Sequence, residues 1–276
     1  MSEYTVVVGL GNPGNADRLM RIGCMMAHEY EGRVDGVTVV ETDQAAPEAT
    51  PEAHDRMSRA YDILGRAEQL AEAAGADFEG HLAISRPVSE VLADLAQSID
   101  AELIVVGYSE RNHPQPNDSS FERLVDEIAA HAPCNLLVAR FVGETGYERV
   151  LVPVRERLNL DVRRDLIVAL RHQFGSTVDV VSFACSESEA VEKLEELQVW
   201  LEERGVTDLV NLRVEVREDP GQAIVEASAD YDLVVLGTAP LHEVRRKYFG
   251  PVTEHVAENA LCSTFLVRTR DIHSAS

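Results

Sequence analysis

The chain has 276 residues, long enough for two domains, and its 45% hydrophobic content is sufficient to build buried cores. Its 48 acidic residues outnumber its 25 basic residues and give a net charge of −23, which excludes the clustered basic surface of a nucleic-acid-binding protein. No apolar run approaches the roughly 18 residues of a membrane-spanning helix, and the opening MSEYT lacks the basic start of a signal peptide. We therefore expect a cytoplasmic protein that does not insert into a membrane.

The basic residues are almost all arginines, because Lys193 and Lys247 are the only lysines. A surface rich in Asp and Glu and poor in Lys is typical of proteins from a high-salt cytoplasm, where salt screens repulsion between carboxylates. We predict a halophilic protein that needs molar salt to fold, the alternative being an ordinary acidic cytosolic protein. The four cysteines lie far apart without a C-x-x-C pair, which indicates thiols in a reducing compartment.

The first predicted element is a strand at residues 5–10, TVVVGL, which runs into three glycines. Gly9, Gly11 and Gly14 have the G-x-G-x-x-G spacing of a dinucleotide-binding turn. That function also needs an acidic residue about 20 residues on, at the end of the second strand, whereas Glu41 stands further along. The letters VGLGNPG also resemble the opening of peptidyl-tRNA hydrolase, but the T-R-H-N stretch of that enzyme is missing. We interpret the glycines as a tight strand–helix turn in which positive φ is allowed.

Apolar runs and helical patterns then alternate through the first half of the chain. A helix near 54–74 carries a predicted apolar stripe, made of Met57, Ala60, Tyr61, Leu64, Ala67 and Ala71. The further strands of this half are predicted at 34–41, 80–85, 102–107 and 135–141.

The second half repeats this alternation. A helix near 187–204 begins after Ser186, has Glu189 three residues on in the pattern of a capping box, and ends at Gly205. Its strands are predicted at 149–154, 177–184, 210–217, 232–237 and 263–268. Near-continuous Val, Ile and Leu strands favour parallel sheets that are covered on both faces.

An internal repeat defines the domain organisation. ELIVVG at 102–107 matches DLVVLG at 232–237, and HAPCNLLVAR later in the first half matches NALCSTFLVR in the second. The polar stretch GETGYE between the halves is a linker. We predict an α/β protein of two doubly wound domains in tandem, at 1–142 and 147–270.

Both halves resemble universal stress protein domains, on the stretches DLVVLGTAPLHEVRRKYFGPVTEHVAENALCSTFLVR and, more weakly, ELIVVGYSERNHP with HAPCNLLVAR. The resemblance covers almost the whole chain and implies a five-stranded Rossmann-like (flavodoxin-like) parallel sheet in each half. Domains of that family often pair through the last strand, so we expect a pseudo-dimer through 135–141 and 263–268. A homodimer is a further candidate assembly.

Nucleotide-binding members of that family carry G-x-x-G-x9-G-[ST] after the fourth strand. The second half keeps the first and last glycines, but Pro240 replaces the middle glycine and Pro251 follows the last one, and proline has no N–H to offer a phosphate. Arg155 stands where many relatives have an Asp after the first strand. The candidate nucleotide or anion site comprises Gly237, Thr238, Gly250, Thr253, Arg155, Arg245 and Arg246.

The first half departs further from that motif, and Gly9, Gly11 and Gly107 are interpreted as a degenerate site. In the second half, a run of arginines at 149–164 adds positive charge near the predicted site. These arginines either form an anion site or are simply solvated, with Arg163 and Arg164 on the first helix of that half.

The leading hypothesis is a tandem universal stress protein, a regulator with no catalytic activity or at most a weak ATPase activity, which binds ATP, ADP or AMP in its second half. The second hypothesis is a protein-binding module that regulates a membrane transporter or another partner. The third is an enzyme of the adenine-nucleotide α-hydrolase-like group, which should have an intact phosphate loop that both halves lack. No catalytic residue and no metal site is predicted.

Overall fold

The computed structural model describes residues 4–40, 51–84, 86–108, 120–144, 146–155, 160–237 and 251–270. Its contacts divide the chain into two units, Met1–Val138 and Ala139–Ser276, which we call the first half and the second half. Among the described residues, no helix is both long and apolar enough to cross a membrane.

The first half alternates strands and helices around one sheet. Its elements are β1 Thr5–Gly9, α1 Pro13–Glu29, β2 Arg33–Val40, α2 Pro51–Ala74, β3 Asp77–Ile84, α3 Val88–Ser98, β4 Leu103–Tyr108, α4 Ser120–His131 and β5 Asn135–Arg140. The strands lie in the order β3-β2-β1-β4-β5, and β1 pairs in parallel with both β2 and β4. The strand order reverses at β1, so a crevice opens beyond the carboxyl ends of β1 and β4.

The second half repeats this topology. Its elements are β6 Arg149–Pro153, α5 Leu160–Phe174, β7 Thr177–Ala184, α6 Glu187–Glu203, β8 Asn211–Val216, α7 Pro220–Ala227, β9 Leu233–Gly237, α8 Pro251–Asn259 and β10 Ser263–Arg268. The strands lie in the order β8-β7-β6-β9-β10, and β6 pairs in parallel with both β7 and β9. The equivalent crevice therefore lies beyond β6 and β9.

The cores form where the central strands are covered on both faces. Val6, Val7 and Val8 of β1 are completely buried, as are Val150 and its two successors in β6. Burial of each such side chain contributes about 1.5–3 kcal/mol relative to exposure. All ten predicted strands are confirmed. β3 begins three residues before its predicted start, at Asp77, and Asp77 and Glu79 in this added part are exposed.

Two helices test the local predictions. On α2, Ala60, Ala67 and Ala71 are buried as predicted, but Tyr61 is 61% exposed and Ile63 is buried instead, so that part of the stripe was wrong. On α6, the Ser186 side chain accepts from Glu189 N at 3.3 Å, which confirms the N-cap. The Glu189 carboxylate accepts a hydrogen bond from Cys185 N at 2.8 Å. It therefore bonds the residue before the N-cap, not the N-cap residue itself.

Candidate ligand cavity of the first half and its counterpart in the second

The crevice of the first half is a cavity of about 570 Å³. Its floor is formed by the carboxyl ends of β1 and β4, and its walls come from the β1–α1 turn, the end of β2, and helices α2, α3 and α4. Most of the lining is apolar, and includes Leu19, Val37, Ile63, Leu92, Val106 and Ile128. A volume of this size lies within the roughly 300–1,000 Å³ range of small-molecule sites.

Two glycines at the strand ends are closely packed by neighbouring side chains. A Cβ on Gly9 would lie 3.1 Å from Val106 Cγ1, and one on Gly107 would lie 3.2 Å from Leu19 Cδ1. Neither Gly9, Gly11 nor Gly14 has a positive φ, so the predicted conformational reason for these glycines was wrong. The reason at Gly9 is close packing between strand and neighbouring side chains, whereas a Cβ on Gly11 would meet open space.

Hydrogen bonds fix the β1–α1 turn that forms one wall. Leu10 N donates to Val37 O at 2.7 Å, and the Thr38 hydroxyl donates to Leu10 O at 3.3 Å. Asn12 caps α1 by accepting from Gly14 N at 2.9 Å, and Pro13 occupies the first helical position. The Gly14 N–H is therefore already bonded to the Asn12 side chain. This leaves fewer unpaired N–H donors at the start of α1 for an anion.

Two arginines of α2 supply the positive charge of the cavity. Arg56 and Arg59 both line it, and both are exposed. A guanidinium can bind a phosphate or carboxylate with two parallel hydrogen bonds. The sequence prediction missed these two residues. The sequence pattern that could have indicated them is a pair of basic residues at i and i+3 in a strongly acidic half, next to Ala60 of the predicted apolar stripe, which is buried.

The equivalent place in the second half contains a buried guanidinium. Arg163 of α5 is only 3% exposed, and its Nη1 donates to Pro153 O, at the end of β6, at 2.9 Å. A Cβ on Gly237 would lie 2.8 Å from Arg163 Cζ, so the group lies directly against the end of β9. Burial lowers the pKa of Arg163 to about 10, which leaves it charged at neutral pH.

The structure brings together part of the predicted second-half site. Thr253 of α8 is buried, and its hydroxyl donates to Gly237 O at 3.5 Å. Arg155 is exposed just beyond β6. The other predicted members of the site, Thr238, Gly250, Arg245 and Arg246, lie outside the described residues.

A cluster at the other end of the first-half sheet has the composition of a metal site. The ligand atoms of Asp35, Glu79 and His81 lie within 4.8 Å of one another. His81 Nε2 is 2.7 Å from Asp35 Oδ1, and Arg33 lies 3.1 Å from Asp35 Oδ2 and 3.5 Å from Glu79 Oε2. Arg33 pairs with both carboxylates and His81 pairs with Asp35, so we describe these residues as an ion-pair cluster.

The second half carries a related cluster around Asp179. The Tyr231 hydroxyl donates to Asp179 Oδ2 at 2.5 Å, Asn211 donates to Oδ1 at 2.8 Å, and Arg213 Nη1 lies 3.3 Å from Oδ2. Burial opposes ionisation of Asp179, but these hydrogen bonds and the guanidinium outweigh it and hold the pKa of that carboxyl below its usual value.

Comparison with known proteins gives one family and several relatives. The pattern of the "Universal stress protein family" matches residues 4–140 and again residues 146–268. The predicted domain limits, 1–142 and 147–270, stay a prediction beside these ranges.

The Na(+)/H(+) antiporter NhaS5 of Synechocystis sp. is 21% identical over 271 residues, which are 96% of this chain and 38% of the antiporter. This chain therefore spans well under half of that relative.

Two solved structures show the fold. A universal stress protein from Archaeoglobus fulgidus has a TM-score of 0.61 at 12% identity, over 96% of this chain and 97% of that one. The cytoplasmic domain of a prokaryotic cation chloride cotransporter has a TM-score of 0.64 at 14% identity, over 96% and 95%. Together with the strand orders above, these matches confirm the predicted fold class.

Proposed function

We propose, since the chain belongs to the universal stress protein family, that its first half is a regulatory module that binds an adenine nucleotide in the 570 Å³ cavity. The observation that carries this proposal is the cavity itself, which lies at the reversal of strand order. Doubly wound sheets bind their ligands at this place.

The lining has the two chemistries that a nucleotide requires. Ile63 and Leu92 contribute apolar surface against which the faces of a planar base can pack. Arg56 and Arg59 contribute guanidinium groups that can hold the phosphate. The base therefore occupies the apolar interior in our proposal, and the phosphate lies beside α2.

A regulatory role is better supported than hydrolysis. Among the described residues that line the cavity there is no Asp, Glu, His, Cys or Lys. Those residue types supply the general bases, nucleophiles and magnesium ligands of nucleotide hydrolases. We therefore expect binding without turnover, which an assay of phosphate release from ATP checks directly.

The predicted site of the second half stays a second candidate for the same ligand. It rests on the contact between Thr253 and Gly237 and on the exposed charge of Arg155. The two candidates differ in which arginines they use, so substitutions can separate them.

Calorimetric titration with AMP and with adenosine tests the first-half site, in the salt that keeps the protein folded. The double variant Arg56→Gln, Arg59→Gln should weaken AMP binding about tenfold or more, because charged hydrogen bonds contribute roughly 1.5–3 kcal/mol each. Adenosine binding should be unchanged. Arg66→Gln is the matched control, since Arg66 is an exposed arginine on α2 that does not line the cavity.

Two results would reject the first-half site. One is wild-type protein that binds neither compound, and the other is a double variant that binds AMP as tightly as wild type. If Arg155→Gln alone weakens AMP binding, the ligand belongs to the second half.

A membrane transporter is our proposed partner. The observation behind it is that 96% of this chain matches a part of the antiporter named above. The tagged chain should co-purify a transporter from detergent-solubilised membranes of its own organism, and added AMP should change the amount recovered. If no transporter is enriched over a tagged control protein, this partner is rejected.

A further inference from the structure

The two halves differ by one side chain at the same place in the fold. In the first half, Leu19 of α1 is the side chain nearest to the missing Cβ of Gly107, at 3.2 Å. In the second half, Arg163 of α5 is the side chain nearest to the missing Cβ of Gly237, at 2.8 Å. The repeat aligns Gly107 with Gly237, so Arg163 stands where Leu19 stands.

The guanidinium of Arg163 spans both strand ends of its crevice. Nη1 donates to the carbonyl of Pro153, the last residue of β6. Cζ, Nη2 and Nε all lie within 3.1 Å of where a Gly237 Cβ would be, so the group packs against the last residue of β9. In the first half, the same two strand ends, at Gly9 and Gly107, are part of the cavity lining.

We propose that Arg163 is the residue that excludes ligand from the second half, because its charged guanidinium lies across the two strand ends where the first half has the apolar side chain of Leu19. This inference deepens the proposed function by assigning the nucleotide to one half. The glycine at 237 is part of the arrangement, since any side chain there would collide with the guanidinium.

The opposite role for Arg163 is that of an anion-binding group, and it makes opposite predictions. A group that excludes ligand increases binding when it is shortened. A group that holds a phosphate decreases binding when it is shortened. The sign of the change therefore decides between the two roles.

The first experiment needs no nucleotide. Arg163→Ala should leave a cavity that a small guanidinium compound can enter, so millimolar ethylguanidinium should raise the melting temperature of this variant by about 2–4 °C. Trp200 emission reports the transition, since Trp200 is the only tryptophan and is buried in the second half. Arg164→Ala, the adjacent arginine on the same helix, is the control and should show no such rise. An equal response of both variants would overturn the proposal.

The second experiment counts AMP sites per chain by calorimetry. Arg163→Leu copies the first half and should raise the stoichiometry from one to two, and it also serves if Arg163→Ala does not fold. The reciprocal Leu19→Arg should remove the first-half site, and Leu19→Met should keep it. Unchanged or lost binding in Arg163→Leu would overturn the proposal.

The two experiments separate this inference from the proposed function. If wild type binds no AMP while Arg163→Leu binds one equivalent, the proposed function fails and the role of Arg163 stands. If wild type binds AMP and Arg163→Leu binds none, the site lies in the second half and Arg163 is a ligand for it.

Discussion

The first and second halves share one topology but differ at the place where this topology creates a crevice. Leu19 leaves a cavity beyond β1 and β4, whereas Arg163 lies across the ends of β6 and β9. Each crevice has a glycine near the end of the fourth strand of its half, and a different side chain packs against that glycine in each half. Gly107 packs against Leu19 and Asn15, and Gly237 makes room for a guanidinium. Fold alone therefore does not make a site, since the same topology carries an apolar side chain at this place in one half and a guanidinium in the other.

The halves also differ in charge. The first half has 24 acidic and 9 basic residues, and the second has 24 acidic and 16 basic residues. Like charges repel at low ionic strength, so the larger net charge should destabilise the first half more.

Removal of salt should have the largest effect, because we expect the first half to lose its structure before the second. As salt is lowered, the circular dichroism signal should fall in part before Trp200 emission shifts. Trp200 is the only tryptophan and reports the second half. Coincident transitions would contradict the difference between the halves. A fully folded, equally heat-stable protein without salt would refute the halophilic interpretation.

Removal of the central carboxylate of each ion-pair cluster should have the next largest effect. Asp35→Ala should destabilise the first half by about 3 kcal/mol, because it leaves Arg33 and His81 without the buried charge between them. Asp179→Ala should cost about 1–2 kcal/mol, since Asp179 is partly exposed and Arg213 keeps its contact with Glu215.

Urea unfolding with hydrogen-exchange readout of each half measures these two costs. Asp17→Ala is the control, because its pair with Arg66 is exposed and solvent screens it, so its loss should leave stability almost unchanged. Equal costs for Asp35→Ala and Asp17→Ala would show that burial does not set the strength of the cluster.

An added methyl group at the two strand-end glycines should distinguish the crevices. Gly237→Ala should cost about 1–3 kcal/mol, because its Cβ would collide with a guanidinium that is held by Pro153. Gly107→Ala should cost less than about 1 kcal/mol, because the flexible end of Leu19 can move into the cavity.

A double-mutant cycle sharpens this comparison. In an Arg163→Leu background, the cost of Gly237→Ala should fall to that of Gly107→Ala, as measured by urea unfolding on Trp200 emission. An unchanged cost would mean that the guanidinium is not what the methyl group meets.

Acid should have the smallest and most local effect. Because the folded-state pKa of Asp179 is lowered, its contribution to stability is present above the unfolded-state pKa of about 4 and is lost as the pH falls through the folded-state value. Between about pH 5 and pH 2, Asp179→Asn should therefore show a shallower loss of second-half stability than wild type. Parallel pH profiles of Trp200 emission would exclude this role for Asp179.

Several features of this protein follow from local patterns in the amino-acid sequence. A continuous apolar run predicts a strand covered on both faces, whichever elements cover it, and all ten strands predicted in this way were found. The Ser186 cap of α6 depends only on residues within one helical turn. The repeat and the family resemblance then gave the fold class of both halves. The pairing of 135–141 with 263–268 stays a prediction.

Only the tertiary structure shows the cavity of the first half and the position of Arg163 at the strand ends of the second half. Arg163 and Arg164 are adjacent in sequence and identical in chemistry, yet one is 3% exposed and the other has a side chain that is 37% exposed. The orientation of α5 against its sheet makes this difference, and that orientation is set by packing contacts far apart in the chain. In the same way, α2 places Arg56 and Arg59 at the cavity because of how it packs on the sheet. A sequence pattern encodes the face of a helix, but the partner of that face is a property of the folded protein.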